Sequence, residues 1–216
     1  MYVPAAFREE RLDALYDLIQ QHSFGTLVSQ TPDGLFATHL PFLLDTQGGE
    51  RGLLRAHMAR ANPHWRSLAD GGEALVLFQG PHTYVSPSWY RTEKAVPTWN
   101  YVAVHAYGRA RIIADPAAVR HVLQMTVDCN ESGFEQPWAM DGLPDEYVET
   151  MAANVVAFEV AITRLEGKRK LSQNRSSADR QGVIAALRRK GEPDGMAVAE
   201  LMAALAPERV AEPGRL

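Results

Sequence analysis

Donors of hydrogen bonds gather in three segments of the chain. In Thr38-His39-Leu40-Pro41-Phe42 a proline interrupts an alternating run. A strand broken there leaves backbone N–H and C=O groups without ladder partners. Such groups suit a flat heterocycle with donors and acceptors along its rim, although a kinked barrel corner would read the same way. In His57-Met58-Ala59-Arg60-Ala61-Asn62-Pro63-His64-Trp65 a strand end runs into a helix start, with Asn62-Pro63 as N-cap and first helical residue. The N–H groups of a helix start, joined by His57 and Arg60, form a phosphate cradle of moderate specificity. The plainer alternative is a capped helix with Trp65 packed inward and His64 at the surface. The third segment is aromatic: Tyr84, Trp89, Tyr90, Trp99 and Tyr101 stand among prolines and glycines, a stiff surface for stacking on a ring or for burial against a second subunit.

Other chemistries lack their parts. No Ser/His/Asp order or recurring carboxylate pair presents itself, and Cys129 is the only cysteine. There are seven histidines, but His57 and His64 are separated by a strand-to-helix break with no Cys or Glu in support, which argues against a metal centre. Haem ligation by a single histidine stays open as a minor alternative. The formal charge of −4 excludes a wholesale nucleic-acid or membrane coating. Between residues 164 and 190, however, nine Lys/Arg stand against two acidic residues, a block suited to a phosphate, a nucleic acid or an acidic surface. One cysteine permits no internal disulfide and fits a reducing compartment. The start of the chain lacks the basic and apolar regions of a signal peptide. The uncharged stretch 74–90 is broken by Gly80, Pro81 and Pro87 and is no membrane span. The expectation is a cytoplasmic protein without membrane contact.

The elements that would position these groups follow from periodicity. Residues 9–22 predict a helix with Leu12, Leu15, Tyr16 and Ile19 on one face. Strands are expected at 25–30 and 35–45 around the turn Thr31-Pro32-Asp33-Gly34, then at 52–59, with a short helix through 68. A strand at 73–78 breaks at Gly80-Pro81 and resumes at 84–86. Over 101–113 Val102, Val104, Ala106, Ala110 and Ile112 alternate with Tyr101, His105, Tyr107, Arg109 and Arg111, giving one core face and one polar face. Asp115-Pro116 and Leu143-Pro144-Asp145 open helices to about 127 and 151, a last strand covers 155–165, and helices at 177–190 and 196–206 precede a frayed end at 207–216. Antiparallel strands with helices between and after them predict a closed or half-closed barrel.

As a set, these segments, with the opening Met1-Tyr2-Val3-Pro4-Ala5-Ala6-Phe7, Val96-Pro97-Thr98-Trp99-Asn100-Tyr101 and Lys170-Leu171-Ser172-Gln173-Asn174, resemble the PaiB-type family of FMN-binding negative transcriptional regulators. The resemblance implies an α+β, mainly β fold: a six-stranded antiparallel FMN-binding split barrel with peripheral helices, over residues 1–175. Residues 176–216 would form a helical extension. It also implies a homodimer with FMN at the interface. By position, Thr38, His39, Leu40 and Pro41 would lie along the flavin ring, and His57, Met58, Ala59, Arg60 and Asn62 would meet the ribityl chain and phosphate. Trp99 and His105 complete the expected set, and His39 or His105 would face the flavin N5 edge. Where the related pyridoxamine phosphate oxidases carry a Ser-Arg-Lys type cluster, this chain offers Arg60, Asn62 and His64. Two alternatives accompany the flavin-binding regulator. One is a flavin- or haem-dependent oxidoreductase. The other is a direct DNA-binding repressor, poorly served by a last helix that contains no Lys or Arg.

Overall fold

The computed structural model describes residues 1–69 and 71–205. A two-residue strand β1 (Arg8–Glu9) precedes helix α1 (Leu12–Gln21), so the expected helix starts three residues late. Leu15 and Ile19, four apart on one face, are buried. Strands β2 (Phe24–Thr31) and β3 (Gly34–Pro41) form the expected hairpin. Its turn is closed by the Thr31 hydroxyl donating to the Gly34 carbonyl at 2.8 Å. The pairing is in continuous register from Phe24 with Pro41 to Thr31 with Gly34.

The run expected as one strand over 35–45 is two. It stops at Pro41, Phe42 buries its ring and donates its N–H to Ser23 at 2.9 Å, and β4 (Leu43–Asp45) resumes. β5 (Leu53–Ala59) follows, then α2 (Trp65–Leu68), a single turn that begins after Pro63 rather than at it. β6 (Glu73–Val85) is continuous through Gly80-Pro81, contrary to the expected break. Its pairing with β2 ends at Leu77, so Pro81 falls where that side has no ladder to interrupt. β7 (Thr98–Ile113), α3 (Pro116–Glu131), α4 (Asp145–Ala153) and β8 (Val155–Lys170) complete this part, α3 opening with the Asp115 carboxylate accepting from the Ala118 N–H at 2.9 Å. Helices α5 (Ser177–Lys190) and α6 (Pro193–Ala203) follow, α6 starting three residues earlier than expected because Pro193 takes its first turn. The frayed end expected at 207–216 lies outside the described residues.

The strands make one sheet in the order β3-β2-β6-β7-β8-β5-β4, with β1 beside β8. The expected six strands are therefore eight, because Phe42 cuts β4 from β3 and β1 adds a short edge piece. β3 and β5, at or near the two ends of this order, approach each other without a backbone ladder. The sheet thus curls into a split barrel with a seam between them. The interior is apolar from every strand of the barrel: Leu27, Leu40, Leu54, Met58, Val76, Val104 and Phe158 are among its buried side chains. Phe42 meets Phe78 and Phe158 edge to face, with centroids 5.7 and 6.3 Å apart. At Gly108 on β7 a Cβ would lie 2.2 Å from the Ala161 carbonyl oxygen, so only glycine permits that strand contact.

The chain divides into two compact units, through which β6, β7 and β8 run. The first comprises Met1, Glu10–Gln79 and Ala103–Gly167 and holds the barrel core. The second comprises Tyr2–Glu9, Gly80–Val102 and the described residues from Lys168 on. Its own core includes Val85, Leu171, Val183, Leu187, Val198 and Met202. There Gly191, at φ 71°, ends α5 in the left-handed conformation, and Arg188 ties α5 to α6 through Glu200 at 3.0 and 2.9 Å. Among the described residues no helix is long and apolar enough to cross a membrane.

Candidate functional site

The seam between β3 and β5 is closed by side chains instead of a ladder. His64, just after β5, is fully buried, which overturns the plainer alternative that left it at the surface. Its Nδ1 is 2.8 Å from the Thr38 hydroxyl on β3, and its Nε2 is 2.9 Å from the Ser29 hydroxyl on β2. The Asn62 amide donates to Thr38 at 3.2 Å. Its Oδ1 accepts the His64 N–H at 3.0 Å, so Asn62 shapes a turn here rather than capping a long helix. Ser67 joins Ser29 at 2.7 Å and donates to the His64 carbonyl at 2.8 Å.

The connectivity dictates where every proton sits. Ser67 spends its single hydrogen on the His64 carbonyl, so Ser29 must donate to Ser67. With that hydrogen used, Ser29 can only accept, and His64 Nε2 must carry its hydrogen. In the neutral ring that burial favours, Nδ1 is the acceptor, Thr38 donates to it, and Asn62 donates to Thr38. The chain from Asn62 to the His64 carbonyl is then satisfied at each step. Burial pushes the His64 pKa below its ordinary value, in agreement with this arrangement.

The other expected residues divide by strand parity. On β3, Thr38 and Leu40 point inward, and Leu40 is in the core. His39 is on the opposite, exposed face, edge-on to Phe24 at 6.4 Å. It shares a cross-strand row with Thr26 and Leu77. Pro41 ends the strand. On β5, Met58 is buried in the core and contributes backbone alone to any site, while His57 lies opposite Ala157 and Ala59 opposite Val155. Arg60 donates through Nε to the Ala153 carbonyl at 2.7 Å and through Nη2 to that of Val155 at 2.8 Å. It thereby caps the end of α4. The backbone N–H groups of Arg60, Asn62, Arg66 and Ser67 are likewise bonded to carbonyls. The turn expected to cradle a phosphate thus directs most of its donors to its own support.

His105 lies elsewhere, on β7. Its ring is 6.3 Å from Tyr107, whose hydroxyl donates to Glu166 at 3.2 Å and whose face carries the Arg164 guanidinium at 3.5 Å. Burial lowers its pKa, as do the Met1 amino group and Arg164, against an opposing pull from Glu166. The Nδ1 atoms of His57 and His105 are both buried and have no partner. Trp99, in the second unit, is exposed and lies 6.3 Å from His82 and 6.1 Å from Tyr84. The structure therefore unites Thr38, Asn62 and His64, sets His39 and His105 on outward faces, and adds Ser29 and Ser67, which the sequence reading passed over. Ser29 was detectable as a polar residue at the inward parity of Gly25 and Leu27.

Burial lowers the pKa of His57, His64 and His105 alike from an ordinary 6.5. The unfolded chain binds protons near pH 6.5 that the folded protein resists, so stability held above that pH drains away as pH falls below it. The thermal midpoint is expected to be level above about pH 7 and to decline from about pH 6.5, well before carboxylates protonate. A midpoint unchanged down to pH 5 would contradict neutral burial of these rings.

Over 202 residues the chain is 34% identical to the protease synthase and sporulation protein PAI 2 of Bacillus subtilis, covering 94% of this chain and 96% of that one. An uncharacterised protein of Emericella nidulans is 32% identical over 241 residues, with 94% and 96% covered. Among solved structures, the FAD and heme binding protein from Mycobacterium smegmatis superposes with a TM-score of 0.55 at 19% identity, covering 76% of this chain and 73% of that one. The flavocytochrome Anf3 from Azotobacter vinelandii does so at 0.55 and 14%, covering 76% and 69%. These two likenesses concern the fold. Residues 1–164 match the family model described as "Putative FMN-binding domain", and the chain belongs to that family.

Proposed function

We propose that this protein binds FMN along the seam edge of β3 and acts as a flavin-dependent sensor in transcriptional regulation. The observation that carries the proposal is the seam itself. Among the described residues β3 ends the sheet order and pairs only with β2. One of its edges therefore offers backbone groups to a planar ring, next to a turn held by the neutral His64 network. Membership of the FMN-binding family and the likeness to PAI 2 support the cofactor and the regulatory role. FMN would supply redox chemistry and a colour signal. On the protein side, Thr38 to Pro41 would line the ring, with His57 and Asn62 beside its tail. The unpartnered Nδ1 atom of His57, close before this turn, fits a ligand with acceptors to satisfy.

A homodimer fits the outward face of the same sheet. Leu35 and Phe24 are 78% and 68% exposed, and Val28, Ala37, Leu75 and Leu77 extend the apolar surface across β2, β3 and β6. His105, on the outward face of β7, favours a second reading as a flavin-dependent oxidoreductase. Direct base reading has the least support, because α6 has no Lys or Arg and turns Val198, Ala199 and Met202 inward.

The test is a titration of the purified chain with FMN, followed by absorbance and flavin fluorescence, with sedimentation of the same sample. Saturable spectral change at one flavin per chain in a dimeric species is the expected result. An unchanged spectrum with saturating FMN would sink the cofactor reading. Steady NADPH-driven reduction of the bound flavin would move the assignment to the oxidoreductase.

A further inference from the structure

The basic block that begins near the end of β8 divides on inspection into paired and unpaired cations. Arg164 pairs with Glu166, Arg169 with Glu9, Arg188 with Glu200 and Lys190 with Glu192. Lys168, Lys170, Arg175, Arg180 and Arg189 have no carboxylate partner among the described residues; the first three lie close together. Lys168 is buried, donates to the Tyr2 carbonyl at 3.0 Å and lies 5.2 Å from the Tyr101 ring. Lys170 donates to the Thr98 hydroxyl and, at 2.6 Å, to the Trp99 carbonyl, which leaves one ammonium hydrogen uncommitted. Arg175 lies over the Tyr90 ring at 4.7 Å, and none of its guanidinium hydrogens is committed to a carboxylate.

Of these, Lys170 and Arg175 line one small cavity. A space of about 100 Å³ is lined by Tyr90, Thr98, Asn100, Lys170, Ser172, Asn174 and Arg175 among others, room for a tetrahedral ion and a few waters. Its wall is built with care. Ser172 is the one non-glycine residue with positive φ, 62°, among those described. Its hydroxyl exchanges hydrogen bonds with buried Asn100 at 2.9 and 3.3 Å. That local reversal lets Lys170 and Arg175, on either side of it, line the same space. Tyr90, 9% exposed, places its phenolic oxygen in the interior with no hydrogen-bond partner. A buried hydroxyl without a partner costs stability unless something binds it. Burial and the two neighbouring cations also pull the Lys170 pKa below its ordinary value, the mark of a positive cluster without a counter-ion.

We infer that this cavity is an oxyanion site for a phosphate group, held by Lys170, Arg175 and the Tyr90 hydroxyl. The ligand is a small phosphorylated molecule separate from the flavin, whose tail is placed beside His57 and Asn62. The inference does not depend on the flavin reading, because inorganic phosphate suffices to test it.

The experiment is calorimetric titration of the full chain with inorganic phosphate in a phosphate-free buffer, alongside thermal unfolding. Saturable binding is expected, weakened roughly tenfold or more in Arg175→Gln and Lys170→Met, since each removes a charge-assisted hydrogen bond. Tyr90→Phe is expected to weaken phosphate binding roughly three- to tenfold. Without phosphate, the same variant should unfold at the same or a higher temperature than the parent, because the unpartnered hydroxyl is gone. Loss of stability in Tyr90→Phe without phosphate would mean that the hydroxyl is merely structural. Independent binding of phosphate and FMN is expected; competition by FMN but not riboflavin would overturn the assignment of a separate ligand. Absence of phosphate binding at millimolar concentration in the parent protein would overturn the inference.

Discussion

Replacing His64 with alanine is expected to lower the thermal midpoint by roughly 6–12 °C, the equivalent of about 3 kcal/mol in a chain of this size. The substitution leaves the Thr38 donor and the Ser29 acceptor facing a void in the seam, and each unmade hydrogen bond there costs about 1–3 kcal/mol. Because Thr38 also receives the Asn62 amide, the loss spreads to the turn after β5. Thr38→Val keeps the shape but removes the hydroxyl, and should cost about 1–3 kcal/mol. Combined with His64→Ala it should cost less than the sum, since both delete the same bond. Differential scanning calorimetry of the two single variants and the double variant provides the check. Strict additivity would show that the network does not act as one unit. FMN affinity should fall in the same variants, because the open edge of β3 is held by Thr38.

Phe158→Ala is expected to cost about 3–5 kcal/mol. Phe158 is completely buried on β8, opposite Ala56 of β5, and meets the edge of Phe42. Small Ala56 and the backbone of two paired strands cannot move in to fill the space, so the cavity persists. Urea unfolding should show a lower midpoint with an unchanged slope. A loss under about 1 kcal/mol would show that the barrel interior can collapse around the gap. The effect on flavin binding should be smaller than that of His64→Ala, because Phe158 supports the core and not the seam.

Much of the barrel was legible in advance. β7 alternates so cleanly that Val102, Val104 and Ala106 could be assigned to the interior, and they are buried. Asp115-Pro116 announced α3, and the Thr31–Gly34 turn announced the hairpin. The errors are as informative. Pro81 looked like a break because a proline usually interrupts a ladder, yet it falls on a stretch of β6 beyond its pairing with β2. Pro41 was read correctly as an interruption, but the split into β3 and β4 depends on Phe42 turning its ring inward.

What the sequence determined by itself was the set of periodicities: which residues of each strand share a face, where the turns fall, and which helices are capped. These are local properties, governed by the alternation of strands and the chemistry of a few neighbouring residues. It also supplied the segments by which the family could be recognised. The tertiary structure decided which of those faces meet. Ser29, Thr38, Asn62, His64 and Ser67 come from two strands, a turn and α2, and only the curling of the sheet brings their hydroxyl, amide and imidazole groups within hydrogen-bonding distance. The same is true of Tyr90, Lys170 and Arg175 in the second unit. A histidine seven residues from another looked like a surface group. It is buried because the seam needs a side chain that can donate on one side and accept on the other, and neutral imidazole does both.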